Sequence, residues 1–225
     1  DDEVAAATHW RIGQIREGHL HDVEGAMGEY SEAWARDVEQ LQAYAALDSF
    51  YRDREAWADL LSLLSSRAER STEPEDALAA WLEMGSLAES RLKDVAESLR
   101  CYERAMDLDP NCEAAMEETM RLYHKLDRVK ALADLYERKA ELTSDSGERC
   151  SYLALAADLH LDRLSRPDRA EELVETILGE MPEQPTARRV LAQIRMNQGA
   201  HAEAAELLEA AMGHMGDSHR VDALL

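Results

Sequence analysis

Residues 74–110 read PEDALAAWLEMGSLAESRLKDVAESLRCYERAMDLDP, and their apolar positions advance in steps of three and four. Ala77, Ala80, Trp81, Met84, Leu87, Ala88 and Leu92 form one stripe, and Val95, Leu99, Tyr102, Ala105, Met106 and Leu108 form a second. That spacing lines one face of an α-helix. Pro74 suits a first helical turn, where a missing N–H costs nothing. Asp94 is placed to cap the second helix, and Pro110 ends it. The stretch therefore predicts a helical hairpin. Ala115, Thr119, Leu122, Tyr123 and Leu126 predict a third helix, and Val129, Leu132, Leu135, Tyr136, Ala140 and Leu142 a fourth.

The same design returns at a fixed interval of 72 residues without a gap. Gly13, Gly85 and Ala157 fall into register, as do Leu20, Leu92 and Leu164, then Tyr30, Tyr102 and Val174, then Ala43, Ala115 and Ala187. Later in each unit Tyr51 matches Tyr123, Leu63 matches Leu135 and Leu207, and Ala68 matches Ala140 and Met212. Asp145-Ser146 returns as Asp217-Ser218, as though a fourth copy began there. A period of this kind marks a stacked-repeat protein, in which each unit packs only on its neighbours. Four helices per period make two hairpins of about 35 and 37 residues, with the extra length expected in the connections around Ser71–Pro74 and Ser144–Gly147. Gly13, Gly85 and Ala157 are expected where helices approach closely, and Tyr30, Tyr102, Tyr51 and Tyr123 in the space between hairpins.

Trp81-x-x-Met84-Gly85 followed by Ser98, Tyr102, Ala105 and Pro110 resembles the tetratricopeptide repeat, as does His9-x-x-Ile12-Gly13 with Ala26, Tyr30 and Ala33. The likeness extends over nearly the whole chain as hairpins at about 1–38, 39–72, 73–110, 111–144, 145–182 and 183–214, with 215–225 opening another. It departs from the pattern at Val38, where Pro is usual, and at Met120 and Ala157, where Gly is usual. The resemblance implies an all-α, right-handed superhelical solenoid of about twelve helices plus the start of a further one. It also implies a role in binding proteins or peptides.

Composition narrows the partner. The 225 residues carry 47 acidic and 25 basic side chains, a net charge of −22. Such a surface repels nucleic-acid phosphates and anionic lipid, which removes an RNA-binding helical repeat from consideration. The acid excess reads either as a solvated exterior or as a field that steers in a basic partner. Cys101, Cys112 and Cys150 are scattered and lack CxxC spacing, which argues against a disulfide framework or zinc site and suits a reducing, cytoplasmic setting. No apolar run approaches the roughly 18 residues that span a bilayer, so no direct membrane insertion is expected. Asp1 is not an initiator Met and both ends cut the repeat, so a piece of a larger protein is expected.

Chemistry is sparse. His19-x-His21 is the one close histidine pair, and it reads as a solvated turn because a metal needs three or four convergent ligands. No nucleophile, phosphate-loop or metalloprotease motif occurs. Neither a catalytic residue, a cofactor nor a metal is expected. Binding is the remaining role, on the side lined by the first helix of each hairpin. Positions one, four and five after the buried Gly or its equivalent give Gln14, Glu17 and Gly18; Ser49, Arg52 and Asp53; Ser86, Glu89 and Ser90; Arg121, His124 and Lys125; Asp158, Leu161 and Asp162; and Gln193, Met196 and Asn197. The resemblance would place a carboxylate clamp at Gln14, Ser49, Ser86, Arg121, Asp158 and Gln193; without its Asn, binding to chaperone C-terminal tails is not expected. Arg121, His124 and Lys125 form a basic patch between acidic stretches, readable as a seat for an acidic segment or as a solvated face. The sequence thus points to a non-catalytic scaffold or adaptor with a protein or peptide partner of basic character. The alternative is a regulatory arm of a kinase or protease whose catalytic domain lies elsewhere. In a groove of this kind, charge reversal at Glu89 and Asp162 should matter, and reversal at Glu103 and Glu175 should not.

Overall fold

The computed structural model describes residues 2–222, with side chains through residue 212. Among them lie twelve α-helices and no strand: α1 Asp2–Leu20, α2 Val23–Arg36, α3 Leu41–Asp53, α4 Trp57–Arg70, α5 Pro74–Leu87, α6 Val95–Leu108, α7 Glu113–Lys125, α8 Val129–Leu142, α9 Ser146–Asp162, α10 Pro167–Glu180, α11 Pro185–Asn197 and α12 His201–Asp222. The helices expected between Pro74 and Leu142 all form. Pro74 opens α5, and the Asp94 carboxylate accepts the Glu97 N–H at the start of α6. The chain divides into two units, residues 1–119 and 120–225. In the first, helices α1 to α6 pack each on the next; in the second, α8 to α12 do the same. The further copy expected at 215–225 lies outside the residues whose side chains are described.

The period is deeper in the backbone than in the sequence. His21, Lys93 and Ser165 take φ of 55°, 58° and 53° at the turns after α1, α5 and α9. Glu55, Asp127 and Gly199 take φ of 53°, 55° and 82° at the turns after α3, α7 and α11. Each set is spaced by 72 residues. The second set closes with the six-to-one bond of a Schellman cap: the N–H groups of Ala56, Arg128 and Ala200 donate to the carbonyls of Tyr51, Tyr123 and Arg195. The first set closes one residue wider, with Asp22, Asp94 and Arg166 donating to Arg16, Ala88 and His160.

This wider closure corrects the expected location of the extra length. The connections at 71–73 and 143–145 are short. The added residues sit in the first helices of alternate hairpins: α5 runs on through a π-helical turn, Ala88–Leu92, whereas α3, α7 and α11 have 13 residues each. Starts of successive first helices after α3, at Leu41, Pro74, Glu113, Ser146 and Pro185, consequently alternate in spacing, 33 then 39.

The core is a run of small and medium residues between helices. In the second unit it includes Ala140, Cys150, Ala154, Ala157, Val174, Ile177, Val190 and Ile194. Two of the four tyrosines expected between hairpins, Tyr30 and Tyr102, are placed differently. Tyr30 is buried inside its own hairpin, against Gly13, where a β-carbon would stand 2.3 Å from its ring Cε1. Tyr102 takes the same position over Gly85. Tyr51 is half-buried, edge-on to Phe50, and shares a pocket with Met27, Gly28 and Ser31 of the preceding hairpin, as expected.

Candidate functional site

The first-helix positions singled out in the sequence are mostly on the surface. In the first unit Gln14, Glu17, Gly18, Ser49, Asp53, Ser86 and Ser90 are exposed, while Arg52 and Glu89 are half-buried. Several serve the scaffold. Tyr30 donates its hydroxyl hydrogen bond to Glu17 at 2.7 Å, and burial together with that carboxylate pushes the phenol above its usual range. Arg52 pairs with Asp48 on its own helix and reaches Glu83 on α5. Its hydrogen bonds to Asp48 and Glu83 hold its guanidinium charge firmly.

In the second unit Arg121, His124 and Lys125 are exposed at the end of α7. On α9, Asp158 is half-buried and accepts from Arg189 of α11 at 2.7 and 2.8 Å, a cross-helix tie. Asp162, Gln193 and Asn197 are exposed, and Gln193 donates to Asn197 at 3.1 Å. Leu161 is half-buried and Met196 exposed.

One helical turn before Asp158, α9 lines an open cleft of about 680 Å³ that the sequence reading missed. Glu148, Ser151, Tyr152 and Leu155 of α9 line it together with Met181, Gln184 and Pro185. Ser151, Leu155, Asp158 and Asp162 follow helical steps on one face of α9, so the cleft continues the strip predicted from the sequence. A signal for it existed. Leu155 stands where the other two copies carry Glu83 and Arg11, so an exposed apolar residue replaces a charge.

Two constellations could suggest chemistry, and the geometry gives each a packing role. His160 on α9 is buried with its Nε2 2.7 Å from Oε1 of Glu137 on α8, and Arg169 on α10 pairs with the other Glu137 oxygen. The cluster joins three helices. Burial alone would raise the Glu137 carboxyl, but the hydrogen bonds from Arg169 and His160 outweigh it and hold the group below its usual range. The thiols of Cys101 and Cys150 are raised by burial, that of Cys101 to about 12, which leaves neither as a nucleophilic thiolate at neutral pH. His19 and His21 stand at the first turn, and among the described residues no three His, Cys, Asp or Glu side chains converge as a metal site. No described helix is long and apolar enough to cross a membrane.

A family model described as the tetratricopeptide repeat matches residues 163–225. Among solved structures, MamA MSR-1 is similar at 18% identity over 81% of this chain and 99% of that one, with a TM-score of 0.46. A tetratricopeptide repeat protein from Parabacteroides merdae shows 15% identity over 93% of this chain and 80% of that one, at 0.40. YrrB, described as a TPR protein with an unusual peptide-binding site, shows 15% over 81% and 89%, at 0.39. No curated protein sequence matches the chain. The tetratricopeptide resemblance is borne out by the family model over residues 163–225, and the rest of the chain shows the expected helical hairpins.

Proposed function

We propose that this tetratricopeptide-type array is a non-catalytic scaffold that holds a partner segment along the first-helix face of its second unit, and that the segment combines apolar with basic side chains. One observation supports this most: an apolar cleft lined by Tyr152, Leu155, Met181 and Pro185, with Glu148 also in its lining, continues the face of α9 that carries Asp158 and Asp162. Apolar walls supply burial, which scales with area removed from water. The exposed carboxylates of Glu148 and Asp162 beside them, within a chain of net charge −22, favour cationic partners and speed their encounter. Binding by stacked hairpins needs no bond-making groups, only a shaped surface.

Selection from a random peptide display library against the chain tests this reading. Enriched sequences should pair Lys or Arg with aromatic or branched aliphatic residues, and Leu155→Glu should abolish their retention. Acidic consensus sequences, or retention indifferent to Leu155, would refute it.

A further inference from the structure

The outward residues of α9 form a straight seam. Glu148, Ser151, Leu155 and Asp162 are exposed and Asp158 is half-buried, and each follows the last by three or four residues in strict alternation. That alternation averages 3.5 residues, the period that keeps one row of side chains facing a partner along a whole helix. Leu155 stands at the centre, seven residues from Glu148 and seven from Asp162. At a rise of about 1.5 Å per residue, each of these carboxylates lies about 10.5 Å along the axis from it.

The copy in α5 shows what is particular to this seam. By the 72-residue period Asp76 and Glu83 stand there at the places of Glu148 and Leu155. Arg67 of α4 donates to Asp76 at 3.0 Å, and Arg52 of α3 donates to Glu83, so the molecule neutralises both itself. On α9 the ion pairs among the described residues use Arg149, Asp158 and His160, not Glu148 or Asp162. Ser151 is also satisfied, since its hydroxyl donates to the Gly147 carbonyl at 2.8 Å. The seam therefore offers an apolar centre between two carboxylates that the chain does not pair.

That centre is firmly backed. Tyr152, which lines the cleft with Leu155, stacks on Tyr136 of α8 with ring centroids 6.2 Å apart. Gln184, also in the cleft, accepts the Ala187 N–H at 2.6 Å and fixes the start of α11. An apolar side chain entering beside Leu155 meets walls already in place.

Spacing then decides what form of chain fits. Along a strand, side chains on one face recur about every 6.7 Å, so basic groups would fall about 6.7 or 13 Å from an apolar one. Neither distance meets the carboxylates. In an α-helix, residues seven apart share a face and stand about 10.5 Å apart. Resting on the scaffold role proposed above, we infer that the held segment is an amphipathic α-helix laid along α9. It carries one basic residue seven positions before an apolar residue and another seven positions after it. The pattern reads the same from either end, so both chain directions satisfy it.

Three labelled peptides on an alanine and glutamine background test the inference. The first places Lys seven positions either side of a central Leu. The second moves both lysines to four positions from the Leu, where an extended segment would need them. The third is the first with a proline in each arm, which bars a helix. The first should bind about tenfold or more tighter than the others and gain helical signal in difference circular dichroism. Glu148→Lys and Asp162→Lys, both at exposed positions, should each weaken it about tenfold, equivalent to roughly 1.4 kcal/mol. Equal binding of all three peptides, each still lost in Leu155→Glu, would overturn the helix and leave the scaffold reading standing. Binding of the first without gain in helicity would do the same. Binding of none of them, or binding unchanged by Leu155→Glu, would overturn both.

Discussion

A β-carbon on Gly13 would stand 2.3 Å from Cε1 and 2.5 Å from Cδ1 of Tyr30, so the ring occupies the space that any larger residue would need. The ring is itself buried and anchored by its hydroxyl bond to Glu17. In the third copy all three positions change together: Ala157 for the glycine, Val174 for the tyrosine, Leu161 for the glutamate. A smaller side chain vacates the room for a β-carbon, and both members of the hydrogen bond disappear at once, which leaves no orphaned polar group.

Gly13→Ala should therefore destabilise the chain by about 1–3 kcal/mol through overpacking. In a background carrying Tyr30→Val and Glu17→Leu the same substitution should cost less than about 1 kcal/mol. Urea unfolding of the four combinations measures the coupling, and equal costs in both backgrounds would show that ring and glycine are independent.

The contrast between these positions and the turns explains what could be read in advance. Helix positions, the Asp94 cap and the Pro74 start were legible because apolar period, capping chemistry and proline each leave a residue-level trace. The alternation of 33 and 39 residues was not. It depends on backbone closure at His21, Lys93 and Ser165, three residues with no shared chemistry. Helical geometry accounts for the exposure of most of the first-helix positions, while Arg52, Glu89, Asp158 and Leu161 are half-buried. The cleft was overlooked because counting forward from the buried glycine skips Tyr152 and Leu155, which precede Ala157.

Those turns carry a cost that glycine would remove. Five of the six left-handed residues have a β-carbon, and the sixth, Gly199, has φ of 82°. Gly199→Ala should destabilise by about 1 kcal/mol, and Glu55→Gly should stabilise by up to about 1 kcal/mol, since glycine adopts this region without steric penalty. Thermal melts of both variants check the pair of signs; a stabilising Gly199→Ala would contradict the turn assignment.

The cluster of Glu137, His160 and Arg169 makes stability depend on acid. Folding lowers the Glu137 pKa from its ordinary 4.5. Its contribution is thus full above pH 4.5 and is lost as pH falls through the lower folded value. Glu137→Gln should cost about 1.5–3 kcal/mol at neutral pH, the range for hydrogen bonds to a charged group. The gap between parent and variant should narrow as pH drops below 4.5. Denaturant midpoints across that interval test it, and a pH-independent gap would mean that the carboxylate charge is immaterial.

The central claim, that the first-helix face of the second unit receives a basic and apolar segment, is tested most directly by titrating one labelled peptide of Lys and Leu residues against three variants. Asp162→Lys and Leu155→Glu, both on the proposed face, should each weaken binding about tenfold or more, equivalent to roughly 1.4 kcal/mol. Glu175→Lys, exposed on the second helix of the same hairpin, should change it less than about twofold. Equal weakening by Asp162→Lys and Glu175→Lys, with Leu155→Glu neutral, would show that only overall charge attracts the peptide and that the face has no part in holding it.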